Sequence, residues 1–295
     1  MKPFPIPVVA FGPGSQVEDE TLEYITMPQG MSTYRPPLLP EPEEVARRTG
    51  AQRALQALLG ALDLACRGEA AAPVSLHALG EADRTLVNQV MGEGEVSARV
   101  DGEGWALRIQ ESVFAGVWRV MRFEHGVLVE DALEAGPVPA ALRRAAAADA
   151  VRASLPPVPE PWPEGVMNSP MLLTEIEDQW QRWQPGQPPH VVNLTLLPMS
   201  PLDIGFLDHQ LGTGRVLILS RGYGNCRITN TLAPNCWRVV YYNSQDAVIL
   251  NTVEVVDMPE VACAAPEDLR DSRERLREVL QWVEGALPAD AGAAA

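Results

Sequence analysis

Cys226 and Cys236 are the residues of this chain whose type and spacing come closest to a chemical site. Nine residues separate them and each lies in a predicted strand, so a disulfide or a metal site would need both thiols close together on one face. The same pattern occurs 119 residues earlier with Leu107 and Val117 in these two places. A position that takes Leu or Val in one copy is a core position, where cysteine behaves as a small hydrophobic residue. We therefore expect structural thiols, with no disulfide and no bound metal.

The other reactive residue types form no catalytic pattern. Cys263 lies in an apolar connection before the last predicted helix, where a buried thiol is again expected. The loop Gly222-Tyr223-Gly224-Asn225 lacks the rest of a phosphate-binding fingerprint and precedes a strand, which favours a hairpin turn. The four histidines are scattered, with neither a Ser, His and Asp order nor an H-E-x-x-H motif. These patterns predict a protein that is not an enzyme and that binds no cofactor.

The positions compared above belong to a unit that the chain contains twice. Residues 81–139 align with residues 201–259 at an almost constant shift of 120. The matched pairs include Asp83 with Asp203, Gly92 with Gly212, Gly94 with Gly214, Trp118 with Trp237, and Pro139 with Pro259. A long period with shared glycines and tryptophans predicts two versions of one fold with the same strand order.

Each copy has the hydrophobic periodicity of a leading helix, a short strand, a second helix, and three or four antiparallel strands. In the second copy, Ser200 and Pro201 suit a helix N-terminus, and Gly212 can provide a left-handed turn at its end. A final amphipathic helix begins at Pro266. The predicted fold class is α+β: a tandem repeat of two similar domains, each an antiparallel sheet covered by helices, with an extended proline-rich N-terminal arm.

Proline clusters divide the chain into five predicted parts. Proline fixes φ and cannot donate a ladder hydrogen bond, so proline-rich stretches favour extended, irregular backbone. The parts are an extended arm (1–40), repeat domain 1 (41–154), a semi-rigid linker (155–167), repeat domain 2 (168–287) and a disordered alanine-rich tail (288–295). Because the arm contains apolar residues such as Phe4, Ile6 and Phe11, we expect it to pack across the domains.

Composition limits the kinds of partner. The 295 residues carry a net charge of −16 and a pI of about 4.7, which argues against nonspecific nucleic-acid binding. No stretch of about 18 apolar residues predicts a membrane span. The first residues have too many prolines and too short an apolar run for a signal peptide. We therefore expect a cytoplasmic protein that contacts neither nucleic acid nor membrane.

The strands of the second copy are rich in aromatic and asparagine side chains, which suit a protein-binding surface. The alternative is that these asparagines only stabilise turns. That interpretation explains Asn235 and Asn243 better than Asn230 and Asn251. The residues predicted to bind a partner are Tyr223, Asn225, Arg227, Asn230, Trp237 and Tyr242.

The first copy has charged residues such as Glu111 and Arg119 in the same region, which predicts a solvated face. Alternate side chains of a strand face opposite ways, so Arg227 should point away from Cys226. If the thiol side packs on the helices, the Arg227 side is the one left free.

Several runs of the chain are long enough to compare with known families. They are Ser220 to Ile228, Trp237 to Val239, Tyr242 to Ser244, Ile249 to Thr252 and Pro259 to Ala264 in the second copy, with Gly12 to Gln16 and Met27 to Tyr34 near the start. These runs closely resemble the HupH/HyaF family of hydrogenase expression proteins. The likeness covers nearly the whole chain and is weakest in the first copy.

This resemblance implies a non-catalytic accessory protein, or chaperone, for maturation of an uptake NiFe-hydrogenase. Such proteins hold or protect the iron–sulfur small-subunit precursor in the cytoplasm before export. The implied partners are that hydrogenase small subunit precursor and thioredoxin-like and rubredoxin-like maturation proteins. The family offers no catalytic residues to carry over to this chain.

Two alternatives remain open at this point. One is a thiol- or metal-dependent redox factor in cluster assembly that uses Cys226, Cys236 and Cys263, which metal analysis and thiol titration would reveal. The other is a structural scaffold that joins other maturation proteins, and it would bind them equally well without the small subunit.

Overall fold

The computed structural model describes residues 48–222 and 224–285, with side chains up to Trp282. The predicted arm (1–40), the predicted tail (288–295) and Tyr223 lie outside the described residues. The first repeat contains α1 (Thr49–Ala65), β1 (Val74–Ser75), α2 (Glu81–Met91), β2 (Val96–Gly102), β3 (Trp105–Glu111), β4 (Val117–Glu124), β5 (Val127–Ala135) and α3 (Ala140–Asp149). The second contains α4 (Ser169–Arg182), β6 (His190–Asn193), α5 (Pro201–Leu211), β7 (Val216–Ser220), β8 (Asn225–Asn230), β9 (Cys236–Tyr242), β10 (Val248–Val255) and α6 (Pro266–Gly285).

Two aspartates at equivalent positions fix the start of the leading helices. Ser200 and Asp203 form a capping box on α5, with each side chain accepting the other's backbone N–H. Asp203 also accepts the N–H groups of residues 167–169 at 2.9 to 3.1 Å, which caps the start of α4. Asp83 does the same for α1 through the N–H of Ala51 at 3.0 Å. The aspartate that matches between the copies therefore joins the first two helices of each repeat.

The described strands form one antiparallel sheet in the order β1-β5-β4-β3-β2-β7-β8-β9-β10-β6. The order within one repeat is mirrored in the other, so the prediction of a repeated fold is confirmed. The repeats meet where β2 pairs with β7, and Ala98 lies opposite Ile218. These two residues are equivalent at the shift of 120, so a local two-fold axis passes between them. The prediction of a separate sheet for each domain is wrong, because the two repeats share one sheet. Pairing β2 with β7 removes an exposed edge strand from both repeats.

One face of the sheet, which we call the covered face, is buried across both repeats. Ala98, Ile109, Ile218 and Ile228 lie on it, under α3 and the segment that contains Met258 and Ala262. On the opposite face, helices pack at the two ends. There α1, α2 and α6 cover β4 and β5, while α4 and α5 cover β9 and β10.

The last helix of the second repeat packs on the first repeat. The α6 residues that share a core with α1 are Leu269, Leu276 and Leu280. Arg275 donates to the carbonyl of Val113 at 3.2 Å, and Arg277 contacts Asp63 of α1 at 3.5 Å. The sequence predicted α6 and its apolar face but not this placement, because helical periodicity does not say which core a face joins.

The segment that follows α3 of the first repeat packs on the second repeat. Residues 150–166, which include most of the predicted linker, run along the second repeat, where Leu155 packs with its core. The N–H of Arg152 donates to the carbonyl of Leu232 at 3.0 Å. Leu232 is the counterpart of Val113, so the two crossing segments bond to equivalent carbonyls. The repeats thus exchange their C-terminal segments.

The substitution Leu276→Ala tests this exchange. Leu276 is fully buried, so we expect the free energy of unfolding to fall by about 2 to 5 kcal/mol. Amide hydrogen exchange measured by mass spectrometry should speed up more in α1 than in α4, because the core that loses the side chain belongs to the first repeat. Glu278→Ala, an exposed change on the same helix, is the control. Greater loss of protection in α4 than in α1 would contradict the exchange.

Candidate partner-binding surface

Arg227 lies on the side of β8 that faces away from α3. Cys226 and Ile228 are buried with the covered face, whereas Arg227 is exposed and Thr229 is half-buried. This alternation follows from the two-residue period of a strand. The side of β8 available to a partner is therefore the side of Arg227.

The central strands β3, β2, β7 and β8 present a row of side chains on that side. Leu219, for example, pairs with Ser97 on one flank and with Arg227 on the other, and paired residues share a face. We call this surface the open face. It comprises Arg99, Asp101, Arg108, Gln110, Leu217, Leu219, Arg227 and Thr229, which surround the buried Ser97. All eight side chains are half-buried or exposed, and the surface crosses the junction between the repeats.

The charge of the open face is positive, unlike that of the whole chain. Arg108 and Arg99 both contact Asp101, at 2.7 and 3.6 Å. The side chain of Arg227 makes no hydrogen bond or ion pair with any other residue that the structure describes. Three arginines and one aspartate thus share a surface with two leucines, in a chain whose net charge is −16. Such a surface can bind apolar groups and carboxylates together.

Two equivalent arginines border the open face. Arg119 of β4 binds both carboxylate oxygens of Asp131 at 2.9 and 2.8 Å. Its counterpart Arg238 binds Asp208 of α5 and Asn251, each at 2.7 Å. Asn251 is the counterpart of Asp131, so the carboxylate comes from a strand in one copy and from a helix in the other. Asn251 therefore has a structural role, and Arg119 belongs to an ion pair rather than to a solvated face.

Asn225 and Tyr242 lie at one end of the open face. They are opposite each other at the β8–β9 pairing, on the same side as Arg227, and both are half-buried. Burial raises the pKa of the Tyr242 phenol, although the positive charges of Arg227 and Arg238 oppose this change. The structure thus brings three of the predicted partner-binding residues together.

Trp237 is inside the protein, which corrects its prediction as a partner-binding residue. Only 2% of it is exposed, and its indole N–H donates to the carbonyl of Val256 at 3.1 Å. Trp118 in the first repeat makes the equivalent bond to Gly136 at 2.9 Å. The sequence contained the evidence for this role, because a tryptophan at the same place in both copies indicates a shared core.

Asn230 is also buried, which corrects the second of these predictions. Its side-chain oxygen accepts the N–H of Val216 at 2.9 Å, and its amide group donates to Asp149 at 3.0 Å. Asp149 further accepts the backbone N–H and the Nε of Arg215, each at 2.6 Å. Burial alone would raise the pKa of Asp149, but these hydrogen bonds outweigh it and lower the pKa. The three residues fasten the end of α3 to the second repeat.

The equivalent place in the first repeat is acidic. Glu111 is the counterpart of Asn230 and is buried, so the prediction of a solvated position is wrong. It accepts the N–H of Gly116 at 3.1 Å and that of Val96, the counterpart of Val216. Burial raises the pKa of Glu111 from its ordinary value of 4.5 to about 7, and the carboxylates of Glu95 and Asp268 contribute to the rise. Glu95 stands where the second repeat has Arg215.

Glu111→Gln should make the protein more stable at high pH. The folded state favours protonated Glu111, so the wild type loses stability as the pH rises from about 4.5 through about 7. Glutamine keeps the hydrogen-bonding oxygen and cannot ionise. We expect a gain of about 1 to 3 kcal/mol at pH 8 and a much smaller difference at pH 5, measured by urea unfolding.

The exposed change Glu103→Gln, in the same repeat, is the control for this titration. It should leave the dependence of stability on pH unchanged. Equal effects of Glu111→Gln at pH 5 and pH 8 would contradict the assignment.

The cysteines are placed as structural thiols. Cys226 packs with the covered face and Cys236 with α4 and α5 on the other side, so the two thiols cannot share one ion. Burial raises the pKa of both to about 12 and that of Cys263 to about 11. Within the described ranges, no group of three or more His, Cys, Asp or Glu side chains could hold a metal ion. None of the described helices is long and apolar enough to cross a membrane.

Sequence reasoning missed the leucines of the open face. Leu217 and Leu219 belong to the apolar run of β7, which resembles a strand buried on both sides. Only the structure, in which β7 pairs with β2 at the centre of the sheet, shows that the side of β7 with Leu217 and Leu219 is half-exposed. Arg99 and Arg108 were missed because they lie in the first copy, where no partner surface was expected.

A family model for the C-terminal conserved region of the HupH hydrogenase expression protein matches the chain twice, over residues 49–158 and 166–283. The two matches coincide with the two repeats of the structure. The chain therefore belongs to the HupH hydrogenase expression protein family, and the resemblance found in the sequence is confirmed.

Relatives align with almost the whole chain. Hydrogenase expression/formation protein HoxQ of Cupriavidus necator is 60% identical over 96% of this chain and 99% of its own length. Hydrogenase expression/formation protein HupH of Rhodobacter capsulatus is 47% identical over 95% of this chain and 98% of its own length. Hydrogenase-1 operon protein HyaF of Escherichia coli is 36% identical over 94% of this chain and 96% of its own length.

Proposed function

We propose that this protein is a non-catalytic accessory protein for maturation of an uptake NiFe-hydrogenase. It holds the iron–sulfur small-subunit precursor in the cytoplasm until that subunit is complete. The observation that carries this proposal is the open face, a broad amphipathic surface in a member of a family named for hydrogenase expression. Holding an incompletely folded chain requires exposed apolar and charged area rather than a reactive cleft.

The open face has the composition of a protein-binding surface. Leu217 and Leu219 supply apolar area at its centre, and arginine is among the residues enriched at interfaces. Because Arg227 has no ion pair among the described residues, its guanidinium group can pair with a carboxylate of the partner. Asn225 and Tyr242 extend the surface beyond β8.

The high thiol pKa values support holding over redox catalysis. The thiolate is the reactive form of cysteine, and Cys226, Cys236 and Cys263 are protonated at neutral pH. Thioredoxin-like and rubredoxin-like maturation proteins are the further partners we expect in the complex. A scaffold function remains distinguishable, because a scaffold would bind those proteins equally well in the absence of the small subunit.

The double substitution Leu219→Ser and Arg227→Glu tests the open face. These residues are cross-strand partners, so the variant removes apolar area and reverses a charge at one place. We expect capture of the hydrogenase small-subunit precursor to weaken by about tenfold or more, because interface anchors are worth about 2 kcal/mol. Binding is measured by titration of the purified precursor.

Arg144→Glu provides the matched control, since it makes the same charge change at an exposed position of α3, which packs on the opposite face of the sheet. It should leave precursor binding unchanged, and thermal unfolding should confirm that both variants remain folded. Normal binding by the folded double variant would exclude the open face as the docking surface.

A further inference from the structure

We propose that the second repeat carries a separate docking surface for a basic amphipathic segment of a partner protein. We call this surface the methionine patch. It comprises Met167, Met171, Leu196, Leu197 and Leu202. Each of these residues is between 37% and 80% exposed. Isolated apolar residues are common on protein surfaces, but a cluster of five large ones indicates a binding site.

Hydrogen bonds hold the parts of the methionine patch side by side. The N–H of Met167 donates to Asp203, the residue after Leu202, at 2.9 Å. The side chain of Asn168 donates to the carbonyl of Pro198, at the end of the loop that carries the other two leucines, at 2.7 Å. The patch is therefore built on a fixed frame, which lowers the entropic cost of binding.

The first repeat provides an internal comparison for the patch. Ala51 and Ser169 are both fully buried and are capped by equivalent aspartates, which aligns α1 with α4. At this shift of 118 the residues that replace Met167, Met171, Leu196 and Leu197 are Thr49, Arg53, Ala78 and Leu79, and at the shift of 120 that relates α2 to α5 Ala82 replaces Leu202. These positions are also exposed or half-exposed, but four of the five are small or polar. The fold therefore does not require large apolar side chains there, and their presence in one copy indicates a binding role.

The charges around the patch identify the chemistry of its partner. Residues 163–203 contain five carboxylates and a single arginine, Arg182, which is already paired with Asp178. Glu164 and Glu175 are exposed close to the patch. Glu175 follows Met171 by one helical turn and lies 2.8 Å from the His190 ring, whereas Glu164 has no ion pair among the described residues. A partner segment with lysine or arginine beside an apolar stripe complements this arrangement. Methionine side chains are flexible and polarizable, so they adapt to different apolar partners.

A pair of synthetic peptides tests the proposal on the full chain. One is an amphipathic helix of leucine and lysine, and the other has glutamate in place of lysine. We expect the lysine peptide to bind and to shift the methyl NMR signals of Met167 and Met171. The double substitution Met171→Ser and Leu196→Ser should weaken this binding by about tenfold or more.

The matched control is Arg53→Ser with Ala78→Ser, at the equivalent positions of the first repeat. It should leave peptide binding unchanged, as should the open-face variant Leu219→Ser with Arg227→Glu, which separates this proposal from the proposed function. Three results would overturn it: equal binding of the glutamate peptide, equal loss in the first-repeat control, or a dimer that disappears in Met171→Ser with Leu196→Ser. The last result would make a second copy of the chain the occupant.

Discussion

The antiparallel pairing of β2 with β7 is the contact on which the rest of the structure depends. Each strand would otherwise be the exposed edge of a five-stranded sheet, with a row of unpaired backbone groups. Because the pairing is centred on the equivalent residues Ala98 and Ile218, it relates the two repeats by a local two-fold axis. That symmetry brings the C-terminal segment of each repeat close to the core of the other. Leu276 then completes the first core and Leu155 joins the second, so neither repeat has a complete core of its own.

A symmetric backbone has accommodated different side-chain chemistry in the two repeats. Asn230 and Glu111 occupy equivalent places and bond to equivalent backbone N–H groups. Around Asn230 the charges of Arg215 and Asp149 cancel within hydrogen-bonding distance. Burial raises the pKa of Glu111, and the nearby carboxylates add to the rise, so this carboxyl group remains neutral over part of the physiological pH range. One repeat is thus held by a fixed charge network, whereas the other contains a group that titrates near pH 7.

The sequence predicted most of what depends on local pattern. The repeat, a strand order common to both copies and the helix start at Ser200 follow from residue types at fixed spacing, and the structure contains all of them. The joining of two sheets into one was not predictable in this way, because backbone pairing between edge strands leaves little trace in side-chain type. The partner-binding prediction failed at Asn230 and Trp237 for a related reason. An asparagine can satisfy a buried backbone group, and an indole N–H can reach a buried carbonyl, so neither residue type implies exposure.

Comparison of the repeats separates structural residues from residues with another role. Trp118 and Trp237 agree between the copies because one fold requires both, and the agreement extends to their carbonyl partners. Exposed positions that differ between the copies are free of this requirement. Leu219 stands where the first repeat has Arg99, and Met171 stands where it has Arg53, so the second repeat has gained apolar area on two separate surfaces. Exposed apolar area weakens solubility and adds nothing to the core, so its concentration in one repeat indicates selection for binding.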